Sequence, residues 1–454
     1  MSAPAAPDPS QNTLRRHVGR TLALAWPMIL SRVGIVTMFT IDVVVLGRAG
    51  ADELADYVIG QAINDSLVGM VIGLLMGVPV LVARETGAGI DGAAGRIWRR
   101  GLAFGVAVGL VLAAALQFAE ALYLATGQEP GLAARAARVT GVVALALPCI
   151  AAYYVSASLL EALHRPGVAL VAILIANAAN LGLNLVLVFG LGPIPALGAV
   201  GCALASVLVF LGLAIGMAAY VLLVFPERAR YGLAAGGRPG VAPPFATQAR
   251  LGLASGASFF LEAAAFTVVT LIVGRLGALA LAAHGVLFQF LALTFMVAYG
   301  IAGATQVRVG NAWGRKDPRG IAMAGWTGLA IAALLTAAGT ATFASFPRTA
   351  IAAFTSDPAV AALAAPMMVW VALATVFDGG QSVMNNACRG RGDAWFPTML
   401  HFGSYWLVMV PLAWALTFPA GQGLAGVYQA IWIASVVSLA ALALRFRRLT
   451  RETP

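Results

Sequence analysis

Long apolar runs, broken by short polar connections, fill this chain from end to end. Twelve can be marked off: 21–46, 57–83, 98–126, 138–162, 168–189, 197–224, 251–274, 279–306, 322–345, 360–387, 396–418 and 424–444. A helix of about 20 residues crosses the roughly 30 Å hydrocarbon core of a bilayer, so each run predicts one transmembrane helix. The alternating segments of about ten residues that mark a membrane β-barrel are absent. The pattern therefore predicts an all-α integral membrane protein of twelve spans.

Composition agrees: 61% of the 454 residues are hydrophobic and 10% charged, with a mean hydropathy of +0.89. The net charge of +10 does not indicate nucleic acid as a partner, because the positive residues fall between spans. The N-terminal tail, the even-numbered loops and the C-terminal tail hold 22 of the 28 Lys and Arg residues. Arg96, Arg99 and Arg100 form one cluster, and Arg308, Arg315, Lys316 and Arg319 another. The first odd loop is acidic, with Asp52, Glu53 and Asp56. The positive-inside rule then puts both termini in the cytoplasm. The first apolar run is too long for a signal-peptide core and is read as an uncleaved span.

The Pro-, Gly- and Arg-rich stretch around 227–250 reads as a cytoplasmic linker. It divides the chain into an N-terminal lobe (1–226, spans one to six) and a C-terminal lobe (251–454, spans seven to twelve). The halves repeat. GRAG at 47–50 answers GRLG at 274–277, and GAGID at 87–91 answers GRKDP at 314–318, both at an offset of 227. HRPG at 164–167 answers GRGD at 390–393 at an offset of 226. Six spans per half keep both halves in one orientation, so an axis along the membrane normal relates them, with a central cavity between.

Acids inside the spans break this symmetry. Glu262, Asp378 and Asp42 fall opposite Ile35, Ala151 and Val269 in the other half. A carboxylate at membrane depth costs roughly 2.5–3.5 kcal/mol on insertion scales, which marks such residues as candidate functional sites. Asp42 lies a few residues inside the outer end of span one. Asn180 and Asn184 in span five share a helix face, with Asn177 one turn earlier, and could solvate a carboxylate or join helices. Phe266 follows Glu262 by one turn and suits a cation near the acid, or simply packs. Asp378 begins a polar stripe with Gln381, Ser382 and Asn385, which lines a cavity or a helix interface. Asp65 in span two is a fourth acid, open to either packing or cavity lining. Arg32 is early enough in span one to snorkel to the cytoplasmic surface. Gln289 and Tyr299 are further polar candidates, and Pro27 and Pro79 candidate kinks. Cys149, Cys202 and Cys388 lack metal-ligand spacing and read as small apolar residues.

No GxxxxGK[ST] loop occurs, which argues against ATP-driven pumping, and no HExxH or acidic diphosphate motif supports an enzyme. The four histidines, His17, His164, His284 and His401, are scattered.

Taken together, six plus six spans, an acid followed by GRAG at the end of span one, VRVGNAWGRKDP after span eight and NNACRGRGD after span ten resemble the multidrug and toxic compound extrusion (MATE) family. The acids in spans one, seven and ten resemble its NorM-type branch. The DinF-type pattern instead has an Asp in span five, where this chain has Asn184. The resemblance implies a monomeric, multi-pass transporter of a bacterial inner membrane that exports cationic amphiphilic compounds in exchange for Na⁺ or H⁺, without a further cofactor. Glu262 and Asp378, with Phe266 nearby, would then bind the coupling ion, Na⁺ included. Asp42, Asn180 and Asn184 would form an N-terminal site. Span seven has Gly256 where the family often has proline, leaving a bend there open. The alternative on a related scaffold is a lipid or lipid-linked oligosaccharide flippase, which needs an arginine-lined cavity; Arg32 is the only candidate for one inside the spans.

Overall fold

The computed structural model describes residues 14–234 and 240–452. The tail before residue 14, the middle of the linker with Arg238, and the last two residues lie outside it. Among the described residues, twelve helices are long and apolar enough to cross a membrane. Spans one to six are Leu14–Ala49, Asp52–Gly87, Ala93–Leu116, Pro130–Ala162, Pro166–Phe189 and Gly198–Val224. Spans seven to twelve are Phe245–Gly274, Ala278–Gly314, Pro318–Ser345, Pro358–Gly390, Trp395–Thr417 and Leu424–Arg451. Several edges reach beyond the apolar runs, as where span four begins at Pro130 and span eight ends at Gly314, and the end of span three moves furthest. It stops at Leu116 and is followed by a short helix, Ala119–Ala125.

Local chemistry explains several of these limits. Spans four, five, nine and ten each begin on a proline, whose fixed φ and missing N–H suit the first helical position. Glu129, Asp317 and Asp357 precede three of these prolines, and their carboxylates accept from the first free backbone N–H groups. Span two breaks at Leu75 and Met76 and resumes at Gly77, so Pro79 sits in the first turn of the new segment. Pro27 lies inside the unbroken helix Leu14–Ala49. Span seven is likewise one unbroken helix. Its Gly256 is there for closeness: a Cβ on Gly73 of span two would stand 2.6 Å from the Gly256 Cα. Span eleven is different. Residues Phe402–Met409 are wound as a π-helix between α-helical ends.

The repeat is written in the backbone. Gly50 and Gly277 both take positive φ, as do Gly89 and Lys316, and each pair stands at the offset that the loop strings show. The Ile90 N–H bonds the Glu85 carbonyl and the Asp317 N–H bonds the Ala312 carbonyl, closing the same helix-terminating turn in each half. After spans four and ten, however, His164 answers Gly392, an offset of 228 rather than the 226 that the HRPG and GRGD strings imply. The matching bonds are Arg165 to Leu160 and Asp393 to Cys388. Lys316 and His164 occupy a left-handed conformation uncommon for residues other than glycine.

Two compact units emerge from the packing. One, the C-terminal unit, comprises the chain up to Ile29, Gly87–Gly89 and Leu261–Pro454; the other, the N-terminal unit, comprises Leu30–Thr86 and Ile90–Phe260. In the C-terminal unit the core gathers around Val273, Leu287, Tyr405 and Tyr428, with a second centre at Met28, Ile301 and Phe446. In the N-terminal unit it gathers around Leu46, Tyr57, Val139 and Cys202.

Candidate functional site

Asp42 is fully buried in the N-terminal unit. It does not reach outward from the end of span one. Its Oδ1 accepts from the amide nitrogens of Asn180 at 3.0 Å and Asn184 at 2.6 Å. Its Oδ2 accepts from the Tyr57 hydroxyl at 3.0 Å and the Ser206 hydroxyl at 3.1 Å. Asn184 also donates to the Asn180 side-chain oxygen. The i, i+4 spacing that puts both amides on one face of span five thus serves one carboxylate. Four neutral donors, from spans two, five and six, are what a buried ionised carboxylate requires. Asn177 does not join them. It bonds the Gly34 carbonyl and joins spans one and five. Tyr57 and Ser206 carried no sequence signal, since isolated hydroxyls are common in apolar helices.

In the C-terminal unit, Glu262 of span seven and Asp378 of span ten meet at one hydroxyl. Tyr405 Oη of span eleven lies 3.5 Å from Glu262 Oε1 and 3.4 Å from Asp378 Oδ1. A phenol has one proton to give, so it can serve only one of the two carboxylates at a time. Gln381 donates to Asp378 Oδ1 at 3.1 Å and also contacts the Tyr405 hydroxyl. Its own carbonyl accepts from Ser438 of span twelve at 2.5 Å. His401 Nδ1 stands 3.7 Å from Glu262 Oε2, and its Nε2 is 2.9 Å from the Asn385 amide nitrogen. With that amide donating, the imidazole proton lies on Nδ1, on the side of Glu262. Arg389, buried one turn beyond Asn385, adds a positive charge near Glu262. Phe266 packs on Tyr405, its ring centroid 5.8 Å away. The π-helical stretch carries Tyr405 and also Trp406, which donates to the Leu261 carbonyl beside Glu262.

The stripe of Asp378, Gln381, Ser382 and Asn385 is therefore buried among the helices of its own unit. Asp378, with Gln381, is joined to Glu262 through Tyr405, and Asn385 through His401. His401, Tyr405 and Ser438 are the members that sequence reasoning missed. A second buried histidine, His284, is held by Tyr428 at 3.0 Å and Thr270 at 3.3 Å. In the repeat it occupies the place that Tyr57 holds in the N-terminal half.

Other candidates settle differently. Arg32 does not snorkel. It is buried, and its Nη2 lies 3.2 Å from both oxygens of Glu161, a buried acid of span four absent from the sequence-based candidates. Asp65 is exposed, which rules out a purely packing role. Gln289 is exposed, and Tyr299 is half-buried and stacked on Phe295. Cys202 and Cys388 are buried as expected; Cys149 is partly exposed. Among the described residues, no group of three or more His, Cys, Asp or Glu side chains is arranged to hold a metal ion.

Comparison with known proteins places these findings. The MatE family profile matches residues 27–186 and 254–415, one segment in each half. A probable multidrug resistance protein NorM of Caulobacter vibrioides is 38% identical over 431 residues, covering 94% of this chain and 91% of its own. Its counterpart in Pseudomonas aeruginosa is 33% identical, with 90% and 84% covered. Among solved structures, an outward-facing multidrug resistance MATE family transporter superposes with a TM-score of 0.87 at 18% identity, covering 96% of this chain and 97% of its own. The eukaryotic MATE transporter AtDTX14 superposes with a TM-score of 0.86 at 19% identity, covering 97% and 98%.

Proposed function

The chain belongs to the MatE family of multidrug efflux transporters, and from that premise we propose that it is an antiporter, exporting amphiphilic organic cations in exchange for Na⁺ or H⁺. The observation that carries the reading is the meeting of Glu262 and Asp378 at the Tyr405 hydroxyl inside the spans. Two carboxylates that share one hydroxyl donor form an oxygen-rich acceptor site for one proton or one small hard cation. Loading either neutralises part of the charge there. Release restores it, and an organic cation then gains what the coupling ion gave up. Exclusion of one cation by the other is enough to link the two fluxes without a long pathway. Phe266, against Tyr405, supplies an aromatic face to that cation.

The Asp42 site has a different character. Its carboxylate is closed off by four donors, and a cation reaches it only if spans one, two, five and six loosen. It is the second coupling site in this reading, slower to open than the first. The split of charge among the loops supports cytoplasmic termini, and the bacterial origin of the NorM relatives supports an inner-membrane location. A flippase for anionic lipid-linked substrates needs free arginine charge in its cavity. Arg32 is neutralised by Glu161, and the buried Arg389 stands near the Glu262 carboxylate, so neither offers free charge to an anion.

The test is transport in reconstituted vesicles loaded with a fluorescent organic cation, under an imposed Na⁺ gradient and, separately, a pH gradient. Wild type moves the cation under at least one gradient. Glu262→Gln, Asp378→Asn and Asp42→Asn each lose gradient-driven transport. Wild-type rates in all three variants would overturn the coupling assignment.

A further inference from the structure

The acids within the apolar spans differ in how closed they are. Asp42, Glu161 and Asp378 are buried and partnered, and Glu262 is largely covered. Asp65 alone among these five is exposed. A charge cannot sit against hydrocarbon without a penalty of roughly 2.5–3.5 kcal/mol, so the face of span two that carries Asp65 meets water.

Gln61, four residues earlier on the same face, donates its Nε2 to Asp65 Oδ1 at 3.0 Å. That bond orients the carboxylate and leaves Oδ2 without a donor among the described residues. The Gln61 Oε1 and Asn64 Oδ1 are buried and have no hydrogen-bond partner among the described residues either. Asp65 Oδ2 is thus an exposed anionic acceptor, which repels an anion and matches a group that brings positive charge and N–H donors, such as an ammonium or amidinium. Val58, two turns earlier on that face, is half exposed and gives the apolar body of such a molecule a place to lie.

We propose that Asp65, oriented by Gln61, binds the cationic head of the exported molecule, in addition to the contact that the coupling carboxylates make with its charge. The inference rests on the antiport reading above and adds to it a second contact. The covered acids exchange the small ion for the cation, and the open acid raises the affinity for it.

The probe is ethidium, a cation that carries N–H donors. Its affinity for the purified protein is read by fluorescence, and its uptake by inverted vesicles under the gradient that drives the wild type. Asp65→Asn weakens ethidium binding by about tenfold or more, the value of one charged contact, and raises the half-saturating concentration for uptake to match. The maximal rate at saturating ethidium stays within about twofold, since the coupling acids are intact. Asp65→Glu recovers much of the affinity, which a merely structural role would not allow. Unchanged affinity in Asp65→Asn, with wild type exporting normally, overturns this proposal alone. So does a lost maximal rate at unchanged affinity, or a Na⁺ requirement that disappears with Asp65, since either would make Asp65 a coupling acid. Wild type that neither binds nor moves ethidium or any other organic cation overturns the antiport reading as well.

Discussion

The ion pair of Arg32 and Glu161 allows a sharp energetic prediction. The two side chains are 9% and 5% exposed, and one guanidinium nitrogen lies 3.2 Å from both carboxylate oxygens. The guanidinium carbon also stands 5.5 Å from the Tyr154 ring centroid. Removing one partner of such a pair leaves an uncompensated buried charge, at a cost of about 3–5 kcal/mol. Glu161→Gln should fall at the low end of that range, because its amide oxygen can still accept from Arg32. Arg32→Met should fall at the high end, because it strands a carboxylate among Tyr153, Tyr154 and Leu160. The double change Arg32→Met with Glu161→Leu removes both charges at once, and such swaps are often neutral or stabilising by about 1–4 kcal/mol. The stability order is thus double variant at or above wild type, and both single variants well below. Reversible unfolding in mixed dodecyl maltoside and sodium dodecyl sulfate micelles, followed by circular dichroism, measures it. A double-mutant cycle closed with the single variants Arg32→Met and Glu161→Leu gives a coupling energy of about 6 kcal/mol or more if the argument holds, since each single strands a charge and the double strands none. Polar contacts between membrane helices average nearer about 0.6 kcal/mol, so a coupling of that size or less would refute it.

Two further outcomes follow from the sites themselves. Asn184→Leu removes the 2.6 Å bond to Asp42 and should cost about 1.5–3 kcal/mol in the same unfolding assay, as hydrogen bonds to charged groups do; the loss should shrink when Asp42 is already Asn, and a fully additive pair would contradict the geometry. Tyr405→Phe deletes the hydroxyl between Glu262 and Asp378 and should weaken coupling-ion affinity by about tenfold or more with folding retained, read as a rightward shift in the ion dependence of vesicle transport.

The membrane itself made much of the fold legible. A span must bury every backbone polar group within one helix, so each helix announces itself as a long apolar run. Asp42, Asn180 and Asn184 were legible together because an acid and two amides at i, i+4 have few reasons to occur in apolar helices. Glu262, Asp378 and Gln381 stood out for the same reason. Tyr405, His401 and Ser438 did not, because an isolated aromatic, histidine or hydroxyl in an apolar segment has no periodic signature. Their roles arise from contacts between different spans, far apart along the chain, which no local pattern encodes. Arg32 was misread for a related reason. Its short distance to the tail implies an interfacial depth, while its partner lies well beyond, in span four. Glu161 sits next to the end of an apolar run, where an acid is ordinary, yet the helix end it occupies is buried.

The π-helical stretch Phe402–Met409 has one more consequence. Gly201 and Gly426 each lie where a Cβ would strike the neighbouring span, at Leu187 and at Leu416. The offset from Leu187 to Leu416 is larger by one than the offset from His164 to Gly392, the pair just before spans five and eleven. Pro166 and Trp395, where spans five and eleven begin, already stand at that larger offset, so the surplus residue lies in the connection and the two spans run in step from their first residues. Span five is α-helical from end to end, while span eleven is π-wound over Phe402–Met409. An α-helix turns about 100° per residue and a wider winding turns less, so this stretch aims its side chains differently from the matching stretch of span five. The two halves therefore differ in their winding as well as in their acids. The hydroxyl that joins Glu262 to Asp378 stands on a stretch whose counterpart in span five is ordinary α-helix.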